Sequence, residues 1–258
     1  MKKLAHLKLV RRGQIGILTL NRPAKRNALS DAMVEEIDAC LRARPAGIKA
    51  LVLHGAGQHF CAGLDLSELS GRSAAEGAAH SRGWHRVFEH MQFGRVPVVA
   101  VLHGAVVGGG LELACTAHVR VAEKNTFYAL PEGQRGIFVG GGASVRLPRL
   151  IGAARMADMM FTGRVYSAEE GQAAGISTYL AAPGKGLAKG IELAERIAGN
   201  APATNFALMH ALPRIAELGQ DAGLLMESLM AGIAQSEPEA KQRMRDFLEK
   251  RGAKVKRR

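Results

Sequence analysis

Apolar and polar positions change period several times along the chain, and each change predicts an element. Residues 7–10 and 15–20 are short apolar runs separated by Arg11-Arg12-Gly13-Gln14, which predicts a hairpin that ends at Asn21-Arg22-Pro23. Ser30 predicts the cap of a helix through about Leu41, with Met33, Val34, Ile37 and Leu41 on its apolar face. Residues 48–53, apolar apart from Lys49, and residues 98–102, bounded by Pro97, predict buried strands. Between them, residues 71–77 are small and polar enough to be mobile, whereas Trp84, Val87, Phe88 and Met91 recur at helical spacing and predict a core stripe.

The second half turns helical. Residues 145–150, 153–161 and 167–174 are short helical stretches parted by Gly152, Gly163 and Gly175, and residues 176–180 predict a last strand. From Lys185 the pattern predicts helices over 188–198, 203–218 with a break at Pro213, 223–233 and 238–248. An α/β core over residues 1–200 followed by a helical region over 201–258 is the expected organisation. Leu224, Leu225, Met226, Leu229 and Met230 form an apolar surface too large for a small helical appendage, to be covered by this chain's own core or by another subunit.

Composition narrows the function classes. At 258 residues and 47% hydrophobic, the chain can bury a sizeable core. The start, Met1-Lys2-Lys3, is basic, but His6 and Lys8 interrupt the apolar run behind it, and no membrane-length run follows; a cytoplasmic protein is expected. Cys40, Cys61 and Cys115 are too few and scattered for a disulfide framework or structural zinc. His80, His85 and His90 step by five, which does not align them as metal ligands on one helix face, so no metal is expected. The net charge of +12 points to an anionic partner: nucleic acid, a membrane surface or a phosphorylated small molecule. The densest basic cluster, from Lys250 and Arg251 to Arg257 and Arg258, reads as a solvated tail.

Candidate chemistry concentrates at residues 103–113, where a strand exit leads through Gly108-Gly109-Gly110 into a helix carrying Glu112. Glycines let a ligand approach the backbone, and the first N–H groups of a helix have no partner within it, so developing negative charge is favoured there. Glu112 could simply complement the helix dipole. Pro131-Glu132 adds a second carboxylate in another glycine-rich stretch, and two carboxyl groups in different environments can divide the roles of base and acid.

The order Phe60-Cys61-Ala62-Gly63-Leu64-Asp65-Leu66, Gly108-Gly109-Gly110-Leu111-Glu112 and Pro131-Glu132 resembles the enoyl-CoA hydratase/isomerase (crotonase) superfamily over nearly the whole chain. Tyr128 to Gly133, Arg135 to Gly142 and Arg146 to Leu150 look especially like its methylthioacryloyl-CoA hydratase branch. The resemblance implies a ββα spiral with a C-terminal helical region that assembles trimers, often paired into hexamers. It implies Leu64 and Gly109 as oxyanion-hole amides, Glu112 as base and Glu132 as acid. It implies CoA contacts at Lys25, Arg26, Ala28, Ala62, Gly63, Asp65, Leu66, Phe247 and Lys250, with coenzyme A part of the substrate and no separate cofactor. The expected reaction is hydration of a 2-enoyl-CoA, with double-bond isomerisation as the alternative. The charge also permits RNA binding as a second activity, although no aromatic-interleaved basic motif accompanies it.

Overall fold

A computed structural model of the chain describes residues 4–43, 46–68, 71–249 and 251. The chain divides into two compact units, Met1–Ala198 and Gly199–Arg258. In the first, β1 (Leu7–Arg12) and β2 (Ile15–Leu20) form the antiparallel hairpin, and α1 (Asp31–Arg42) starts from Ser30, whose hydroxyl accepts from the Met33 amide. β3 (Ala50–Gly55), α2 (Ala74–Gln92), β4 (Val98–Leu102), β5 (Ala105–Val107), α3 (Gly109–Ala114), β6 (Val119–Glu123) and β7 (Phe127–Ala129) follow. After them come α4 (Ala143–Ile151), α5 (Ala153–Thr162), β8 (Tyr166–Ser167), α6 (Ala168–Ala174), β9 (Tyr179–Ala181) and α7 (Gly186–Ala198). The main sheet runs β1-β2-β3-β4-β6-β9, parallel from β2 onward, and a small sheet runs β5-β7-β8.

The parallel strands are buried on both faces, which is why they read as continuous apolar runs. Leu51, Leu53, Val98, Ala100 and Leu102 face the large core with α1, α2 and α3. Their alternates Ala50, Val52, Val99 and Val101 face a second core closed by Leu193, Ala194 and Ala198 of α7.

Several expectations shift. β3 begins two residues later than the apolar run, because its pairing with β2 starts at Ile15 opposite Ala50. The expected strand over 176–180 shortens to β9, since Ile176 instead closes α6, its amide donating to Gly171 O at 2.7 Å. Residues 71–77, expected to be mobile, enter α2 through a capping box in which Ser73 and Glu76 bond reciprocally. β6 was not anticipated: Arg120 and Glu123 interrupt its apolar pattern, yet both are buried. Arg120 donates to Ala117 and Ile176 carbonyls, and Glu123 accepts from the Gly184 and Gly186 amides.

In the second unit, α8 (Pro202–Phe206) leads through a π-helical turn over Ala207–Ala211 into α9 (Leu212–Ile215), α10 (Gln220–Ser236) and α11 (Pro238–Leu248). The π turn sits just before Pro213, where the missing N–H and ring bulk break the α-helical ladder. Leu224, Leu225, Leu229 and Ile233 stand exposed along α10. No helix among the described residues is long and apolar enough to cross a membrane.

The loop after β2 is fixed by one side chain. Asn27 is fully buried at φ 55°, accepting from the Arg22 amide at 2.9 Å and donating to Ala56 O at 2.9 Å and His59 O at 2.7 Å. Asn tolerates that left-handed conformation better than other side-chain-bearing residues. Replacing it by Ala removes the partner of three backbone groups on the half-buried Arg22, Ala56 and His59, and an Asn27→Ala chain is expected to lose about 2–4 kcal/mol in a urea melt. A loss below about 0.5 kcal/mol, within the ordinary range for surface substitutions, would show that the loop holds without it.

Candidate active site

Residues 61–66 are pinned from two sides. On one, Cys61 N donates to Ala105 O at 3.0 Å and Val107 N to Cys61 O at 3.1 Å. On the other, Leu29 N donates to Gly63 O and Asp65 N to Leu29 O, both at 2.8 Å. Leu64 sits between these ladders with its own amide donating to no acceptor among the described residues.

The bend from β5 into α3 faces this segment. Gly108 has φ 52°, which favours glycine, and a Cβ there would stand 2.5 Å from Glu132 Oε1 and displace that carboxyl. A Cβ at Gly109 would lie 3.3 Å from Leu64 N and 3.5 Å from Trp84 Cζ3. Any larger side chain at that position would crowd the Leu64 amide. Gly109 opens α3, so its N–H has no acceptor within the helix. The two implied oxyanion donors therefore neighbour each other, with neither satisfied among the described residues.

Both glutamates are buried, and their surroundings differ. Glu112, in the first turn of α3, accepts at Oε1 from the amides of Gly141 at 2.7 Å and Ala143 at 3.0 Å. Burial raises its pKa above the usual carboxylate range, while those two amides act to lower it. Glu132 stands at the turn after β7, and its Oε2 is buried with no hydrogen-bond partner among the described residues. Burial, reinforced by the neighbouring Glu112 charge, pushes Glu132 up to about 7 against the pull of its own backbone and of Arg135.

A cavity of about 340 Å³ joins these parts. Among the residues lining it are Ala62, Gly63, Leu64, Leu66, Gly109 and both glutamates, all expected from the sequence. Asp65 instead serves the loop's structure. Ser67 donates to it at 2.8 Å and Arg22 at 3.0 Å, which together hold its carboxyl below the usual range. Arg22 also donates to Ala28 O at 2.6 Å, and Ala62 N donates to Arg26 O at 3.0 Å, so the loop carrying Lys25, Arg26 and Ala28 is laced to the 61–66 segment. The side chains of Lys25 and Arg26 are exposed. Phe247 is exposed on α11 of the second unit, and Lys250 lies outside the described residues.

Sequence reasoning missed Arg22, Asp31, Arg72 and His80. His80, given no role, lies one turn before Trp84, and both donate to Asp31 Oδ1, at 2.5 Å and 3.0 Å, beside the cavity. The Ser73-x-x-Glu76 cap and the four-residue spacing of His80 and Trp84 were the signals available.

Comparison with known proteins agrees with this geometry. The enoyl-CoA hydratase/isomerase family model matches residues 11–258. A short-chain-enoyl-CoA hydratase of Clostridium acetobutylicum is 30% identical over 252 residues, covering 96% of this chain and 97% of that one. A 2,3-dehydroadipyl-CoA hydratase of Escherichia coli is likewise 30% identical over 252 residues, with the same coverage. A solved structure from Rhodopseudomonas palustris, provisionally described as an enoyl-CoA hydratase, is 59% identical with a TM-score of 0.94, covering 98% of each chain. The chain belongs to the enoyl-CoA hydratase/isomerase family, and its α/β fold with a helical C-terminal region is that family's fold.

The raised pKa of Glu132 has a stability consequence. The unfolded chain ionises this group near 4.5, whereas the folded chain keeps it protonated to about 7. The favourable contribution of the protonated group is thus complete below 4.5 and is lost as pH rises towards 7. Glu132→Gln, which cannot ionise, is expected to gain about 2–3 kcal/mol relative to the native chain between pH 5 and pH 8 in denaturant melts. An unchanged difference across that range would mean an ordinary carboxylate.

Proposed function

We propose that the chain adds water across the 2,3 double bond of a 2-enoyl-CoA, with Glu112 and Glu132 as the working pair. The observation that carries this reading is the asymmetry of the two buried carboxyls: one is held by two backbone amides, which favour its ionised form, and the other has an oxygen with no donor among the described residues. The thioester oxygen would take the Leu64 and Gly109 amides, so negative charge can build on it as water attacks C3. Glu112 accepts a proton from that water as its oxygen bonds to C3. Glu132 delivers its proton to C2, which yields the 3-hydroxyacyl-CoA. The proton is left on Glu112 and missing from Glu132, and exchange through solvent resets the pair after product leaves.

The neighbourhood of the cavity supports the CoA end. Ala62, Gly63 and Leu66 line it, Ala28 is tied to Asp65 of the 61–66 segment through Arg22, and the exposed cations Lys25 and Arg26 suit the nucleotide phosphates. Asp65 contributes by fixing Arg22. For Phe247 and Lys250 the proposal rests on the resemblance alone. Coenzyme A is part of the substrate, and the steps use no further cofactor. Three free, buried thiols suit a reducing, cytoplasmic setting. The exposed apolar row of α10 suits self-association as a trimer or hexamer, to be read from the solution mass.

The presence of two carboxyls favours hydratase over isomerase, whose proton shuttle can run on one. Among hydratase substrates, the likeness of residues 128–150 to methylthioacryloyl-CoA hydratases singles out that thioester. Its hydration at C3 gives a thiohemiacetal that can expel methanethiol.

The test follows loss of enoyl-thioester absorbance with crotonyl-CoA and methylthioacryloyl-CoA. Glu112→Ala and Glu132→Ala are each expected to lower turnover by about 100- to 10,000-fold. Turnover by the native chain with no loss in either variant would overturn the two-glutamate mechanism. Absence of methanethiol with methylthioacryloyl-CoA would remove that substrate alone.

A further inference from the structure

One cation close behind the site has no part in the steps above. Arg146, in the first turn of α4, is half-buried and lies outside the cavity lining. Its guanidinium is held at two points: Nε donates to Oε1 of Gln92, the last residue of α2, at 2.7 Å, and Nη1 donates to Gly141 O at 3.1 Å. Gly142 has φ 103°, and a Cβ there would collide with Nη1, so the guanidinium lies directly against the turn over residues 141–143. That is the turn whose Gly141 and Ala143 amides donate to Glu112 Oε1.

The turn therefore stands between a cation and a carboxyl. A trans peptide points its C=O and its N–H in opposite directions. With the Gly141 carbonyl drawn to Arg146, the N–H of the same peptide, on Gly142, is turned towards Glu112. Burial raises the Glu112 carboxyl, and the Gly142 amide joins those of Ala143 and Gly141 in opposing that rise, as does the Arg146 charge through space. Two further titratable groups face Glu112: Cys115, at the end of its own helix, and Glu132, after β7. Arg146 in turn is faced by Glu89 of α2 and Arg149 of α4. Burial pushes the Cys115 thiol up to about 11 and Glu132 up to about 7. Both are then neutral below pH 7, whereas a guanidinium keeps its charge, so of these three neighbours of Glu112 only Arg146 is charged there.

We propose that Arg146 is the positioning residue of the base: through the Gly141 carbonyl it holds the 141–143 turn in the form that binds Glu112, and hydration depends on it from outside the cavity. This rests on the hydratase reading, in which Glu112 takes the proton from water. Without the guanidinium the turn loses its outer anchor, and Glu112 keeps its proton to higher pH.

The experiment follows the acid limb of kcat/KM against pH for crotonyl-CoA hydration in the native chain, Arg146→Met and Arg146→Lys, with each profile scaled to its own maximum so that any loss of folded protein cancels. Arg146→Met is expected to move the limb up by about one pH unit, which is about a tenfold loss of scaled activity at a pH on the native limb, and to lower kcat more than it raises KM. Arg146→Lys should bring the limb back towards the native position while kcat stays low, because lysine returns the charge without the planar fork. A limb that does not move in Arg146→Met, or a change in KM alone, would overturn the inference while the hydratase reading stands. Urea melts near neutral pH read the same coupling without substrate: Arg146→Met should cost the native chain more than it costs Glu112→Gln, and equal losses would overturn the inference. If Arg146→Met does not fold, Arg146→Lys decides, and a native kcat in that variant would overturn the inference. Absence of hydration with every thioester would instead overturn the hydratase reading, with the melts still testing the hold of Arg146 on Glu112.

Discussion

Two backbone turns must face each other with nothing between them. The 61–66 segment and the bend from β5 into α3 come so close that a Cβ at Gly109 would touch the Leu64 amide, and one at Gly108 would collide with Glu132. Ladders on both sides of Leu64 hold the first turn, and the left-handed backbone at Gly108 makes the second. The constraint is steric before it is electrostatic. Once it is met, two amides without an acceptor among the described residues lie side by side, and the proposed hydration would use them as preorganised donors that need not reorganise as charge develops.

The same closeness sets the glutamates apart. α3 delivers Glu112 to the amides of Gly141 and Ala143, so a loop distant in sequence is fastened by the carboxylate it helps to ionise. Glu132 is placed under Gly108, where there is room for its carboxyl but no donor for Oε2 among the described residues. Burial raises the pKa of both, and at Glu112 the amides of Gly141 and Ala143 oppose that rise without cancelling it. The stability cost this places on Glu132 as pH rises towards 7 is what the proposed role as acid would require of it.

Much of this was legible in the sequence, because glycine runs and buried parallel strands leave strong local signatures. Residues 7–20, 98–102 and 108–112 are of that kind. What stayed hidden were polar residues whose partners lie far along the chain. Arg120 and Glu123 disguise β6 because a buried cation and carboxylate satisfied by loop carbonyls and amides read as surface residues. Arg22, Asn27, Asp31 and Arg72 act through contacts to residues on other elements, and no periodicity encodes such contacts. The Ser73 cap was readable and was overlooked beneath small-residue composition.

The most direct measurement is the pH dependence of kcat/KM for crotonyl-CoA hydration in the native chain and in Glu132→Gln. If Glu132 must carry a proton to give to C2, native activity falls about tenfold per pH unit above about 7, and the residual activity of Glu132→Gln lacks that limb. A native profile flat from pH 6 to 9, or the same falling limb in Glu132→Gln, would contradict the assignment of Glu132 as the acid.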